Sequence, residues 1–233
     1  MEITFKISRY DPSRDQEPRL QTFRVEAGPE ERILDCLNRI RWEQDGSLAF
    51  RSSCGHGVCG SDAMRINGRC GLACQKLVKD FPGGQVSLEP LPTFKVLKDL
   101  IVDLGPFLER IRQVKPFLRT EEPAPDKERP QSQEDSRKLN EVIRCILCAC
   151  CSASCPAMGE NPSFLGPAPL VWAFRTVFDS RDRTTLERLR ELDGPHGAWG
   201  CQNYFECTRV CPKSIPVTKS INLLKREIEK HLR

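Results

Sequence analysis

The stretch CILCACCSASCP, Cys145 to Pro156, carries a complete C-x2-C-x2-C-x3-C-P run at Cys145, Cys148, Cys151, Cys155 and Pro156. That spacing is an iron-sulfur signature. Three thiolates two residues apart wrap one cubane, and the fourth, thrown outward before a proline, binds a different cluster, so one run calls for a partner. The partner is CQNYFECTRVCP, Cys201 to Pro212, which repeats the spacing but puts Tyr204 where the second cysteine belongs. Crossing the ligands as in a two-cluster ferredoxin assigns Cys145, Cys148, Cys151 and Cys211 to a 4Fe-4S cluster. Cys155, Cys201 and Cys207 are left for the other site. A phenol is a poor ligand for low-valent iron, so three thiolates predict a 3Fe-4S cluster. The competing reading completes a 4Fe-4S cubane with Tyr204 or water. Cys150 falls outside the count and reads as a buried packing residue.

The chain has 233 residues, enough for two domains, and 13 cysteines, whose grouping matches metal spacing better than a disulfide framework. Thiols in such number suit a reducing compartment, and the N-terminus reads as neither a secretory signal nor a transit segment, which points to a cytosol-facing protein. No apolar run approaches the roughly 18 to 20 residues that span a bilayer. The formal net charge of +4 is modest and interspersed, which gives no footprint for nucleic acid.

Upstream of the runs lies RSSCGHGVCGSD, Arg51 to Asp62. Cys54 and Cys59 satisfy the first spacing of a plant-type ferredoxin, Cys74 is the distant cysteine, and Asp62 takes the third place, which specifies a 2Fe-2S centre. The glycines let the loop bring amides close to sulfur. Three readings stay open: Asp62 ligates through oxygen, Cys70 swings in as the fourth thiolate, or the loop holds no metal; the spacing favours Asp62. His56 offers a Rieske-like ligand but reads more simply as a solvent-facing loop residue, and Cys36 as a non-ligand.

Around this loop, alternation predicts strands at Ile3–Ile7 and about Phe23 and Val25, joined through a polar turn from Asp11 to Pro18, then a helix from Glu30 to Ile40. A strand Ala63–Ile66, a turn at Asn67-Gly68 and a closing strand at Val86–Glu89, ended by Pro90-Leu91-Pro92, complete a β-grasp domain. Leu97 to Leu118 is helical in pattern, Glu121 to Arg137 is a polar surface excursion, and a helix through Leu139, Val142, Ile143 and Ile146 delivers the first run. Two later stripes, Leu170 to Phe178 and Val217 to Leu232, pack around buried clusters; the basic residues of the last one read as a solvated face. The fold class is α+β: an N-terminal β-grasp 2Fe-2S ferredoxin domain, residues 1–104, followed by an all-helical two-cluster ferredoxin-like domain, residues 105–233.

Three clusters with no flavin or dinucleotide fingerprint describe a wire. The ordered set formed by Arg51 to Asp62, Asn67-Gly68 before Cys74, Pro90-Leu91-Pro92 with Lys98-Asp99-Leu100, Cys145 to Pro156, Asp179-Ser180-Arg181-Asp182 and Cys201 to Pro212 closely resembles the iron-sulfur subunit of the succinate dehydrogenase and fumarate reductase family, over essentially the whole chain. The resemblance implies a flavoprotein partner carrying FAD and membrane-anchor subunits that bind quinone and can carry haem b. It places the 2Fe-2S cluster toward the flavin and the 3Fe-4S cluster toward the quinone, with succinate oxidation the preferred direction and fumarate reduction the alternative. It also implies a peripheral location on the cytoplasmic side of the cell membrane. Pro156 and Glu160 fall in the quinone vicinity. There the chain departs from many ubiquinone-reducing members, with Glu160 in place of a tryptophan before Asn161-Pro162 and Gln202 after Cys201, which points to menaquinone. Outside this family, a free-standing ferredoxin or the subunit of another flavoenzyme fits the clusters, whereas a zinc module does not need so dense a cysteine run.

Overall fold

Strand β1 (Glu2–Arg9) buries every second residue, with Ile3, Phe5 and Ile7 fully inside, and pairs antiparallel with β2 (Arg19–Glu26), where Phe23 and Val25 face the same way. Phe5 lies opposite Phe23 and Ile3 opposite Val25, the cross-strand apolar pairs that fix a register. Helix α1 (Ile33–Arg39) covers the sheet's core with Ile33, Leu34, Cys36 and Leu37; it is shorter than the pattern predicted. The Asp35 carboxylate accepts the Arg32 N–H at 3.1 Å and starts it, and after Arg39 it widens into a π turn, Ile40–Gln44.

Strands β3 (Ala63–Ile66) and β4 (Arg69–Leu72) form a hairpin whose two-residue loop, Asn67 and Gly68, has positive φ at both positions, as a primed turn requires. The β4 strand was not foreseen. Nor does β5 (Gln85–Glu89) close the sheet: it lies in its middle, parallel to β1 and antiparallel to β3, in the order β2-β1-β5-β3-β4. Leu88 sits between Ile7 and Ile66, so burial on both sides placed it there.

The helix expected from Leu97 is a second, two-stranded sheet, β6 (Val96–Lys98) with β7 (Ile101–Val102), and the helix α2 covers only Gly105–Gln113. Between those strands Asp99 takes φ +45° and is almost fully buried. Its carboxylate accepts the amides of Tyr10 at 2.9 Å and Ala49 at 2.8 Å and pairs with the buried Arg9 guanidinium at 3.0 Å. A long-range polar node therefore overrides a helical apolar spacing.

The structure, a computed structural model, describes residues 1–120 and 125–233, so the start of the expected surface excursion lies outside the described residues. Its end is not loop but helix α3 (Gln133–Leu139), capped by Ser132, which accepts the Asp135 amide at 3.0 Å. That helix stops at Leu139, and only a 3-10 turn, Val142–Arg144, precedes Cys145, in place of the helix expected to deliver the first run. Two compact units result: Met1–Leu104 with Ile146–Ser154, and Gly105–Cys145 with Cys155–Arg233. The segment 146–154, expected with the helical half, groups with the sheet because its helix α4 (Cys150–Ala153) packs on β4.

In the second unit, α5 (Pro156–Glu160) leads to α6 (Pro167–Val177), which is buried nearly all round and packs on α7 (Thr185–Leu192) and α9 (Val217–Leu232), with α8 (Glu206–Arg209) in the second cysteine run. Val217, Ile221, Leu224 and Ile228 form the apolar stripe of α9, as the periodicity predicts. Arg188 on α7 is 3% exposed; it donates to the Asp182 carboxylate at 2.8 Å and to the carbonyls of Lys115 and Phe117, both at 2.8 Å. Deleting one partner of such a buried pair costs about 3–5 kcal/mol.

Candidate metal centres

The loop from Cys54 to Asp62 turns amides onto sulfur. Gly55, Gly57 and Gly60 all have φ near +70°, which glycine adopts without strain. The resulting path points the N–H groups of His56, Val58 and Cys59 at Cys54 Sγ, at 3.5, 3.4 and 3.3 Å. The amides of Cys54 and Ser61 both reach Cys59 Sγ at 3.5 Å, and the Ser61 hydroxyl lies 3.1 Å from it. These donors, the His56 amide foremost, pull the Cys54 thiol down to about 6, toward the thiolate that iron requires.

Cys74 sits on the 3-10 turn after β4, and Asp62 faces it. The Asp62 side chain is 2% exposed and accepts the Cys74 amide at 2.5 Å. Burial first, and then the Asp62 carboxylate, push the Cys74 thiol up to about 12, while the Gly57 amide pulls the other way. Cys70, the rival ligand, is turned elsewhere: burial raises its thiol, and its hydrogen-bond partner is Ser154. Cys54, Cys59, Asp62 and Cys74 therefore form one linked set, and Cys70 stands outside it. His56 is exposed, with Nδ1 on the Cys54 carbonyl at 2.5 Å, and Cys36 is buried, its thiol pushed up to about 11 by that burial.

The two later runs share one backbone course. A 3-10 turn, Val142–Arg144 or Ala198–Gly200, hands over to Cys145 or Cys201. Leu147 and Ala149 then take positive φ, as do Asn203 and Phe205, and α4 or α8 follows at once. Alternating left-handed residues make a concavity lined by N–H groups, which suits an anionic cluster. None of these four residues is glycine, so nothing local in the sequence announced the conformation.

Cys155, Cys201 and Cys207 line one small cavity in the second unit, together with Phe164, Tyr204 and Thr218. Burial lifts the Cys155 thiol to about 11 against the amides of Met158 and Ala157, and the neighbouring Cys207 and Cys201 add to the rise. Cys207 is likewise raised by burial, its sulfur 3.4 Å from Thr218 Oγ1. Tyr204, 43% exposed, donates its hydroxyl to Glu160 Oε1 at 2.9 Å, and that bond raises the phenol's pKa. The phenol of the competing reading is thus engaged with a carboxylate. Pro156 and Gln202 line the same cavity, and Gln202 also lines an adjoining open groove with Glu160, Trp199 and Arg233.

Cys145 and Cys211 belong to the second unit and Cys148 and Cys151 to the first. Cys150, fully buried at the start of α4, donates its thiol to Cys148; this lowers Cys148 and raises Cys150 well above its ordinary value. Cys211 Sγ accepts the Ile215 amide at 3.4 Å. Among the described residues, no three His, Cys, Asp or Glu side chains close on a point as ligands of a single ion do; the loop set rests on shared amide donors, the three-thiolate set on a shared cavity, and the grouping of Cys145, Cys148, Cys151 and Cys211 on their spacing alone. Thiolate sets of this kind, with converging amides, fit iron-sulfur clusters. The basic face expected on α9 is partly engaged: Lys225 Nζ donates to the Cys201 carbonyl at 2.8 Å, and Arg233 lies over Trp199. The spacing of the cysteines carried no sign of either contact.

Similarity to known proteins covers both parts of the chain. The family described as a 2Fe-2S iron-sulfur cluster binding domain matches residues 4–109, and the one described as a 4Fe-4S dicluster domain matches residues 141–215. The chain is 42% identical, over 97% of both chains, to the succinate dehydrogenase iron-sulfur subunit of Coxiella burnetii. It is also 42% identical to the mitochondrial succinate dehydrogenase [ubiquinone] iron-sulfur subunit 1 of Oryza sativa, over 96% of this chain and 81% of that one. Among solved structures, a chain of the Mycobacterium smegmatis Sdh1 complex in the apo form aligns with a TM-score of 0.90 at 28% identity, covering 98% of this chain and 96% of that one.

Proposed function

The chain belongs to the family of succinate dehydrogenase iron-sulfur subunits, and we propose that its cysteine sets carry electrons from a flavoprotein partner with bound FAD to a membrane quinone. It is the electron-transfer subunit of an oxidoreductase complex, with an N-terminal 2Fe-2S domain and a 4Fe-4S dicluster domain. In this reading Cys54, Cys59, Cys74 and Asp62 hold the 2Fe-2S cluster, and Cys145, Cys148, Cys151 and Cys211 hold the 4Fe-4S cluster. Cys155, Cys201 and Cys207 hold a 3Fe-4S cluster. Bound there, the clusters supply one-electron carriers that split the two electrons of succinate into single steps. The protein's part is to present thiolates, aim amides at them and keep the carriers apart from water.

The observation that carries the three-cluster reading is the hydrogen bond from Tyr204 to Glu160, which engages the one oxygen ligand available at the position where the first run has Cys148. The Asp62 assignment is supported by its burial against Cys74 and by the partnering of Cys70 elsewhere. No helix among the described residues is long and apolar enough to cross a membrane. In this reading anchor subunits, with or without haem b, hold the chain at the cytoplasmic face of the membrane, as the family relationship suggests. Glu160 and Gln202, in a groove beside the three-thiolate cavity, favour menaquinone as acceptor, although the rice relative is named for ubiquinone.

Electron paramagnetic resonance of the anaerobically purified complex tests the wire. A sharp near-free-electron signal in the oxidised state, lost on mild reduction while a 2Fe-2S signal appears, is the expected result. Its absence would give the second site a complete cubane and overturn the quinone-facing assignment. Turnover with menaquinone and ubiquinone analogues decides the acceptor, and the ratio of succinate oxidation to fumarate reduction decides the direction.

A further inference from the structure

Gly60 follows Cys59 directly and sits against the first of the later runs. A Cβ built on it would lie 2.8 Å from Cys148 Cβ, 3.0 Å from Cys148 Cα and 3.2 Å from the Ile146 carbonyl oxygen. These atoms are main chain or rooted on it, and they cannot step aside as the end of a flexible side chain does. Gly60, Ile146 and Cys148 all belong to the first unit. The other loop glycines differ. Gly55 has nearly the same φ, +69° against +70°, yet its nearest foreign atom is the end of the Arg32 side chain at 3.7 Å, and at Gly57 the obstruction is the flexible Gln75 side chain.

From this contact we infer that Gly60 is a positioning residue for electron transfer: by lacking a side chain, it sets the gap between the 2Fe-2S loop and the Cys148 thiolate. The inference rests on the ligand reading above, with Cys59 and Asp62 on one side of Gly60 and Cys148 on the other. One electron leaves the first centre, which is oxidised, and enters the second, which is reduced; no bond forms or breaks and no proton moves. Since electron tunnelling falls off exponentially with distance, the residue that fixes the closest approach of the two ligand-bearing backbones governs the rate. A side chain at position 60 forces them apart, whereas the φ requirement at position 55 has no such consequence.

The test compares Gly60→Ala with Gly68→Ala, a left-handed glycine in the β3–β4 turn with φ +78° and open space around it, in the purified holo-complex. Both variants carry the cost of a left-handed alanine, and only the first also meets Cys148. Two quantities are read: relaxation enhancement of the reduced 2Fe-2S resonance when the 4Fe-4S cluster is reduced, and the rate at which an electron injected by pulse radiolysis equilibrates between the two. Gly60→Ala is expected to keep both clusters but lose much of the relaxation enhancement and slow the equilibration several-fold, with Gly68→Ala like wild type. Identical behaviour of the two variants would overturn the inference. So would loss of the 2Fe-2S signal in Gly60→Ala alone, which would make the residue a requirement of its own loop and not a spacer. If the wild-type complex itself lacks either signal, the fault lies with the ligand reading instead.

Discussion

The runs at Cys145–Pro156 and Cys201–Pro212 follow one backbone path and end in different chemistry. Each has a 3-10 turn, two left-handed residues flanking the second ligand position and a helix of one turn. In the first, Cys148 is bonded by the buried Cys150 thiol; in the second, Tyr204 reaches out to Glu160, and Glu206, in the place of Cys150, pairs with Arg209 at the surface. The difference teaches that the N–H-lined concavity is set by the course of the chain, while in the proposed function the number of irons it would hold turns on one side chain and what that side chain prefers to bond.

The comparison is broken most completely by making the second run like the first. Tyr204→Cys supplies the missing thiolate, so the sharp signal of the oxidised three-iron cluster should vanish from the resonance spectrum and a four-iron signal appear on reduction. If the three-iron signal survives, the backbone and not the side chain limits the site.

The segment between the runs is pinned by Arg188 on Asp182, so Arg188→Met should destabilise the second unit by about 3–5 kcal/mol. Thermal scans should then show the three-thiolate cluster lost before the 2Fe-2S cluster. Burial alone would raise the Asp182 carboxyl, yet Arg188, the Arg119 amide and Thr184 hold it below the ordinary range. Its contribution is therefore present above about pH 4, the unfolded carboxyl value, and is lost as pH falls through the depressed folded value. In Arg188→Met the carboxylate is buried without its cation, its folded value moves up toward or past the unfolded one, and the acid loss of stability tied to this group should shrink or reverse. Coincident acid profiles would show that the pair does not act this way.

A smaller effect probes the shared backbone. Phe205→Gly relieves a left-handed residue but gives up the buried half of its ring, worth about 1 kcal/mol or more, and should come out slightly destabilised. Ala149→Gly relieves the same strain but gives up a buried methyl worth about 0.8 kcal/mol, and should come out near zero. Equal melting shifts for the two would deny the difference in burial. Smallest is Glu160→Gln: Tyr204 is raised by this carboxylate, so the contribution of the pair persists below about pH 10 and fades as pH rises through the folded phenol value. Ultraviolet titration of phenolate should therefore start at lower pH in the variant, and an unchanged curve would mean that the bond does not form in solution.

Several elements were legible because their signal is local. The alternation of Ile3, Phe5 and Ile7, the Asn67-Gly68 turn and the α9 stripe depend on neighbours in sequence, and the structure keeps them. Others were lost to distant contacts. Leu97 to Leu104 has helical spacing, but the buried Asp99 node with Arg9, Tyr10 and Ala49 makes a strand pair there. The β5 strand, with only alternation to show, gave no hint that it lies between β1 and β3.

For the centres, cysteine spacing by itself carries the proposed grouping of the sulfurs and the expectation that one group is short of a ligand, because a cluster of fixed size demands thiolates at fixed separations along the chain. Only the tertiary structure turned Cys70 toward Ser154 and Asp62 toward Cys74, drew the Tyr204 hydroxyl to Glu160, and set Gly60 against Cys148. Those outcomes depend on which polar atoms meet once the chain is packed, and a burial cost or a close approach exists only between residues that folding has brought together.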